Sequence, residues 1–209
     1  MLRSVVAVVL LMGCLPASGA TSDHDYSWSV FTGKFTADRF LDDILTFTHR
    51  INFDNAWVTV VNYNHVLARP TSSRRWEGEL QFGVHHSGRQ DHVEFNTAIA
   101  HRWSDWPWDG LLNTSFAIGT GFSLASEPPL LEVEGKPGDD AQRLLLYLLL
   151  EFEVAPYWAE RWSIFCRIHH RSGAFGTFGG VHGGSDHIGI GFRWFMGARS
   201  GAAKSGAGS

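Results

Sequence analysis

The stretch "RRWEGELQFGVHH" (74–86) alternates with a period of two, and that pattern restricts the chain more than any other. Trp76, Gly78, Leu80, Phe82 and Val84 fall on one face, and Glu77, Glu79, Gln81, Gly83 and His85 on the other. Successive side chains of a strand point to opposite sides, so such a segment belongs to a sheet whose two faces meet different surroundings. "HVEFNTAIAHRW" (92–103) repeats the pattern, with Val93, Phe95, Ile99 and Trp103 opposite Glu94, Asn96, Ala98 and Arg102. In "TSFAIGTGFSLA" (114–125), Phe116, Ile118, Phe122 and Leu124 stand against Ser, Ala and Gly. Segments 26–35, 56–68, 143–155, 161–172 and 185–196 complete an expected eight strands, with ten as the alternative count. The apolar spacing of 37–51 fits a short amphipathic helix.

An all-β chain of this kind is either apolar inside and wet outside, or the reverse. The polar row carries Glu77, Glu79, Glu94, Glu151 and Glu153 with Arg102, Arg167 and Arg193, opposite charges that could pair in a closed lumen. Charged residues make up 18% of the 209 residues, while nine Trp and fifteen Phe are many for a soluble domain of that size. Connections alternate between long (37–55, 126–142, 173–184) and mostly shorter (69–73, 104–113, 156–160), with 87–91 the one short member of the first set. Trp106, Trp108, Tyr157 and Trp158 fall at shorter turns, where an interfacial aromatic girdle belongs. The expected fold is an eight-stranded antiparallel, up-and-down outer-membrane β-barrel with a polar lumen and an apolar, lipid-facing exterior.

Residues 1–20 read as an export signal: Arg3, an apolar core over 5–13, and small residues at 17–20. "LMGC" (11–14) offers a second reading, lipidation at Cys14. The barrel domain is expected over 21–196, followed by a small-residue tail over 197–209. If Cys14 leaves with the signal, Cys166 is the one remaining thiol, which excludes an internal disulfide and a CxxC site. A formal charge of −4 gives no electrostatic footprint for nucleic acid.

Chemistry-bearing residues gather at one place. In "RIHHRSGAFGTFGGVHGGSDHIGIGFRW" (167–194), counting by two along the apolar row from Ile164, Cys166 and Ile168 reaches His170 and Ser172. Counting back from Ile190 and Ile188 on the following strand reaches Asp186. All three are therefore expected on the outward face of one hairpin, at its loop end. Ser, His and a carboxylate are the groups acyl transfer uses: a nucleophile, a base, and an acid that orients the base. Gly173 and Ala174 could offer backbone amides to an oxyanion. The competing reading is plain, since His and Ser also occupy membrane interfaces without doing chemistry. His169 and Arg171 are expected to face the lumen beside Arg167, and Glu94 and Asn96 to join a buried network there. A metal set of His169, His182 and His187 has no HExxH or paired His/carboxylate spacing behind it, and no metal ligand is assigned.

The export signal, the strand pattern and His170-x-Ser172 on the penultimate strand together resemble the outer-membrane lipid A deacylases of the PagL type. The resemblance implies an eight-stranded barrel with a catalytic Ser-His-Glu set on its lipid-facing wall. It also implies hydrolysis of an acyl ester at the 3-position of lipid A, without a cofactor. On that basis His170 would be the base and Ser172 the nucleophile, with Asp186 standing where the family has Glu. The partner would be lipid A, or whole lipopolysaccharide, in the outer leaflet, and the protein a single barrel or a homodimer. The chain departs from the family at Gly173, where Asn is usual, and in the longer loop before a shorter acid. A looser resemblance to exported barrel proteins extends over "VEFN" (93–96), "WPW" (106–108), "GTGFSLASEPP" (119–129) and "HHRSGAFG" (169–176). The alternatives are a structural or adhesive outer-membrane barrel and, further off, a secreted lipocalin-like binding barrel.

Overall fold

A computed structural model describes residues 24–36, 38, 51–86, 91–109, 111–132 and 141–197. The expected signal (1–20), almost all of the expected amphipathic helix (37–51) and all but the first residue of the tail (197–209) lie outside the described residues. Eight strands follow one another: β1 (Tyr26–Thr36), β2 (Phe53–Thr71), β3 (Arg74–His86), β4 (His92–Trp103), β5 (Leu112–Ala125), β6 (Leu144–Pro156), β7 (Trp162–Ser172) and β8 (Gly184–Met196). Each pairs antiparallel with the next, and β1 pairs with β8 to close the barrel. Closure satisfies every sheet edge, a condition for β-structure in lipid. A short 3-10 turn, Leu130–Glu132, lies between β5 and β6.

The alternation read from the sequence sorts inside from outside. Trp76, Leu80, Phe82 and Val84 are exposed on the exterior, as are Phe95, Ile99, Ile118 and Phe122, while Glu77, Glu79, Gln81 and His85 are buried in the lumen. Trp106, Trp108, Tyr157 and Trp158 are exposed at the short-turn end. There Asp109 accepts hydrogen bonds from Trp106 N (2.8 Å) and Thr114 N (3.0 Å), which fixes the turn that carries the stacked Trp106 and Trp108 rings.

Two details differ from expectation. β2 runs on past Ala68 through Pro70, because register shifts at Val66/Ala68 and Ala68/Thr71 let the ladder absorb a residue that cannot donate. The β2–β3 connection is thereby reduced to Ser72 and Ser73. The lumen is also less uniformly polar than its charges suggest. Phe31, Val58, Val60 and Phe165 form a buried apolar cluster, as do Ala98, Ala100, Tyr147 and Leu149. Tyr147 nonetheless meets His169 Nδ1 through its hydroxyl at 3.2 Å, so polar contacts cross this region as well.

Toward the short turns, Glu151 receives Arg102 Nη2 at 2.6 Å, Arg167 Nη2 at 2.5 Å and Arg193 Nη2 at 2.8 Å. Glu77 pairs with Arg75 and Arg102, Glu79 with Arg167, and Glu153 with Arg193. Charge withdrawn from water must be paired and hydrogen-bonded, and this lattice does both. Toward the long loops, Glu94 lies 2.9 Å from His85 Nε2 and 2.8 Å from His169 Nε2. As expected, His169, Arg171, Glu94 and Asn96 all face the lumen and are buried.

Candidate active site on the outer wall

β7 and β8 place His170 directly opposite Asp186, and Ser172 opposite Gly184. The next outward pair down the hairpin is Ile168 and Ile188, so the polar residues continue an apolar row. His170 Nδ1 lies 2.8 Å from Asp186 Oδ1, a distance at which the shorter acid reaches the ring. Both residues are nearly buried, at 8% and 4% exposure, although their parity points outward. The loop after β7 lies against the outer wall on the β5 side. Phe178 packs edge-on against Phe122 on the wall of β5, and Val181 is fully buried behind Gly173. The loop therefore folds outward over the wall, across β6.

Ser172, partly exposed, accepts a hydrogen bond from Ala174 N at 3.1 Å. Its hydroxyl makes no hydrogen bond to His170 in this structure. Of the two amides expected to serve an oxyanion, Gly173 N donates to Gly183 O at 3.0 Å, and it is the Ala174 amide that stands beside the Ser172 oxygen. Gly173 has no room for a side chain, since a Cβ there would meet Val181 O at 1.9 Å. Ala174 and Phe175 follow with φ of 48° and 55°, the left-handed region that residues other than Gly rarely occupy. Such strain persists where the surroundings enforce it, and it gathers at functional turns. Phe175 is 87% exposed, an apolar side chain at the lip of the site.

On the lumen side of the same hairpin, Arg171 Nη1 donates to Glu132 Oε1 at 2.7 Å, and Ser185 Oγ donates to the same oxygen at 2.9 Å. The 3-10 turn therefore ties the residues that alternate with His170, Ser172 and Asp186. Burial lifts the Glu132 carboxyl above the usual carboxylate range, against the opposing pull of Arg171. No periodic signal pointed to Glu132; its role arises from a loop returning to the lumen mouth. The three histidines weighed as a metal set do not assemble: His169 and His187 are buried in the lumen, whereas His182 is exposed on the loop beside Gly176. Cys166 is exposed on the outer wall, as its parity required.

No protein family matches the sequence, and no curated protein does. Among solved structures, the chain is similar to the outer membrane enzyme PagL at 11% identity, covering 81% of this chain and 99% of that one, with a TM-score of 0.53. It is also similar to Neisserial surface protein A, NspA (8% identity, 82% and 97% covered, TM-score 0.49). A further likeness is to Ail, the attachment invasion locus protein of Yersinia pestis (9%, 82% and 99%, 0.36). At such identities the likeness to PagL concerns the fold, and there it agrees with the apolar exterior and charged lumen. The chain folds as an eight-stranded β-barrel of the bacterial outer-membrane kind, with an apolar exterior and a charged lumen.

Proposed function

We propose that the chain is an outer-membrane ester hydrolase that removes an acyl chain from lipid A, or from lipopolysaccharide, in the outer leaflet. The observation that carries this reading is the His170–Asp186 pair, 2.8 Å apart on the outward side of the last hairpin with Ser172 one position further along the same row. The likeness of the fold to an outer membrane enzyme adds support. In the reaction, His170 Nε2 takes the Ser172 hydroxyl proton as Oγ attacks the ester carbonyl, and Asp186 holds the Nδ1 proton and stabilises the imidazolium. The tetrahedral oxyanion accepts from Ala174 N–H, the amide already next to Ser172 Oγ. Collapse expels the lipid A alkoxide, which takes the proton back from His170. Water, deprotonated by His170, then hydrolyses the acyl-serine and releases a free fatty acid. Ser172 must exchange its Ala174 contact for one to His170, a rotation about χ1, and catalytic hydrogen bonds commonly tighten only when substrate binds.

The same Ala174–Ser172 bond favours a second reading, in which Ser172 caps a turn and the barrel is structural or adhesive. A fluorophosphonate reagent separates the two. In the hydrolase, the folded barrel is labelled covalently at Ser172, and labelling is lost in His170→Ala. A folded barrel that stays unlabelled while a known serine hydrolase reacts in the same micelles contradicts the enzymatic reading.

A further inference from the structure

We propose that the long-loop end of the lumen holds a divalent transition-metal ion of the zinc class, ligated by His85, His92 and Glu94. Their donor atoms all lie within 4.8 Å of one another, and all three residues are buried. The placement follows from strand geometry. His85 and His92 are cross-strand partners at the facing ends of β3 and β4, with rings stacked 4.1 Å apart, and Glu94 is the next lumen-facing residue after His92. Two imidazoles and a carboxylate form a donor set that zinc accepts with a fourth position left over, and imidazole nitrogen suits this class of ion.

A second observation also points to a ligand. His85 Nδ1 and His92 Nε2 have no hydrogen-bond partner, and neither does either ring nitrogen of His187. His187 is fully buried and stands edge-on to His85, with ring centroids 5.0 Å apart. Polar atoms withdrawn from water are costly unless something occupies them. Glu94 keeps its second oxygen on His169 Nε2 at 2.8 Å, the kind of outer contact that orients a ligating carboxylate. An ion taking His85 Nδ1 and His92 Nε2, the two nitrogens without a partner, leaves the contact between His85 Nε2 and Glu94 Oε2 in place. Arg171 opposes a cation, with Nε 3.6 Å from Glu94 Oε2, but its Nη1 is drawn to Glu132 Oε1 at 2.7 Å, so one guanidinium is shared by two carboxylates. Bound there, the ion would brace β3 and β4 to β7 through Glu94 and His169. The proposal stands or falls independently of hydrolysis on the outer wall.

The test uses the full chain without a histidine tag, folded in detergent, stripped with a chelator, incubated with zinc alone and desalted. Wild type is expected to retain about one zinc per barrel, and cobalt in its place to give visible absorption of a low-coordinate site. His92→Ala, at a strand end, is expected to weaken zinc binding by about 10- to 100-fold or more while keeping heat-modifiable migration. His85→Ala serves as the second ligand variant, and His86→Ala, on the exposed side, is expected to bind as wild type does. Wild type without retained zinc, or zinc retained equally by folded His85→Ala and His92→Ala, would overturn the proposal.

Discussion

Inside the barrel, Glu151 meets three arginines within 2.8 Å, whereas on the outside of β7 and β8 His170 and Asp186 pair on a row that runs into Ile168 and Ile188. Both arrangements bury ionisable groups, but they differ in what their remaining reactivity can reach. The lumen lattice is closed on itself, so its charges cancel locally and hold the walls together. The outer pair stands beside a serine, a strained Ala174–Phe175 turn and a protruding Phe175, at the side where lipid would lie. Under the proposed function, stability rests on the inside and chemistry on the outside, and each can be broken separately.

The largest expected effect is on the wall. If the pair is catalytic, Ser172→Ala and His170→Ala each lower ester release by about a thousandfold or more, while Ser172→Ala leaves urea unfolding in lipid vesicles within about 1 kcal/mol of wild type. Lumen change should do the opposite. Glu151→Ala leaves Arg102, Arg167 and Arg193 short of a partner and is expected to cost about 3–5 kcal/mol in the same unfolding assay, with fluorophosphonate labelling of the folded fraction unchanged. The apolar exterior gives a third, smaller effect: Ile118→Lys, on the exposed row of β5, is expected to cost about 2–4 kcal/mol in vesicles.

The smallest effect concerns the turn that ties the two regions together. Because the Glu132 carboxyl is raised by burial, the folded state binds its proton more tightly than the unfolded chain does. Its contribution to stability is thus present below the ordinary carboxylate range and is lost as pH rises through the raised value. Glu132→Gln should flatten that part of the pH profile, and a profile unchanged by the substitution would remove Glu132 from the account.

Parity carried the sequence reading a long way. Strand β3 was legible to the residue, because Trp76 to Val84 and Glu77 to His85 alternate without interruption, and the same counting put His170, Ser172 and Asp186 at the loop end of one outward row, although only the register sets His170 opposite Asp186. What parity cannot carry is anything that depends on loops or on distant strands. The near-burial of His170 and Asp186 on an outward row was not visible from parity, and the committed amide of Gly173 reflects its contact with Gly183. Arg69-Pro70 resembled a turn, although bulges carry the strand through it. His85, His92 and Glu94 sit in a legible pattern, His at the end of one strand and His-x-Glu opening the next, yet their convergence depends on the hairpin register. Apolar lumen positions such as Phe31 and Phe165 were hidden because they break the alternation that identified the lumen.

Mass spectrometry of lipid A from expressing cells decides whether Ser172 and His170 cut an acyl ester of lipid A. Wild-type barrel is expected to remove the mass of an ester-linked acyl chain, and membranes carrying equal amounts of folded Ser172→Ala are expected to keep it. Lipid A of unchanged mass with folded wild type, or the same loss with Ser172→Ala, would contradict that cleavage.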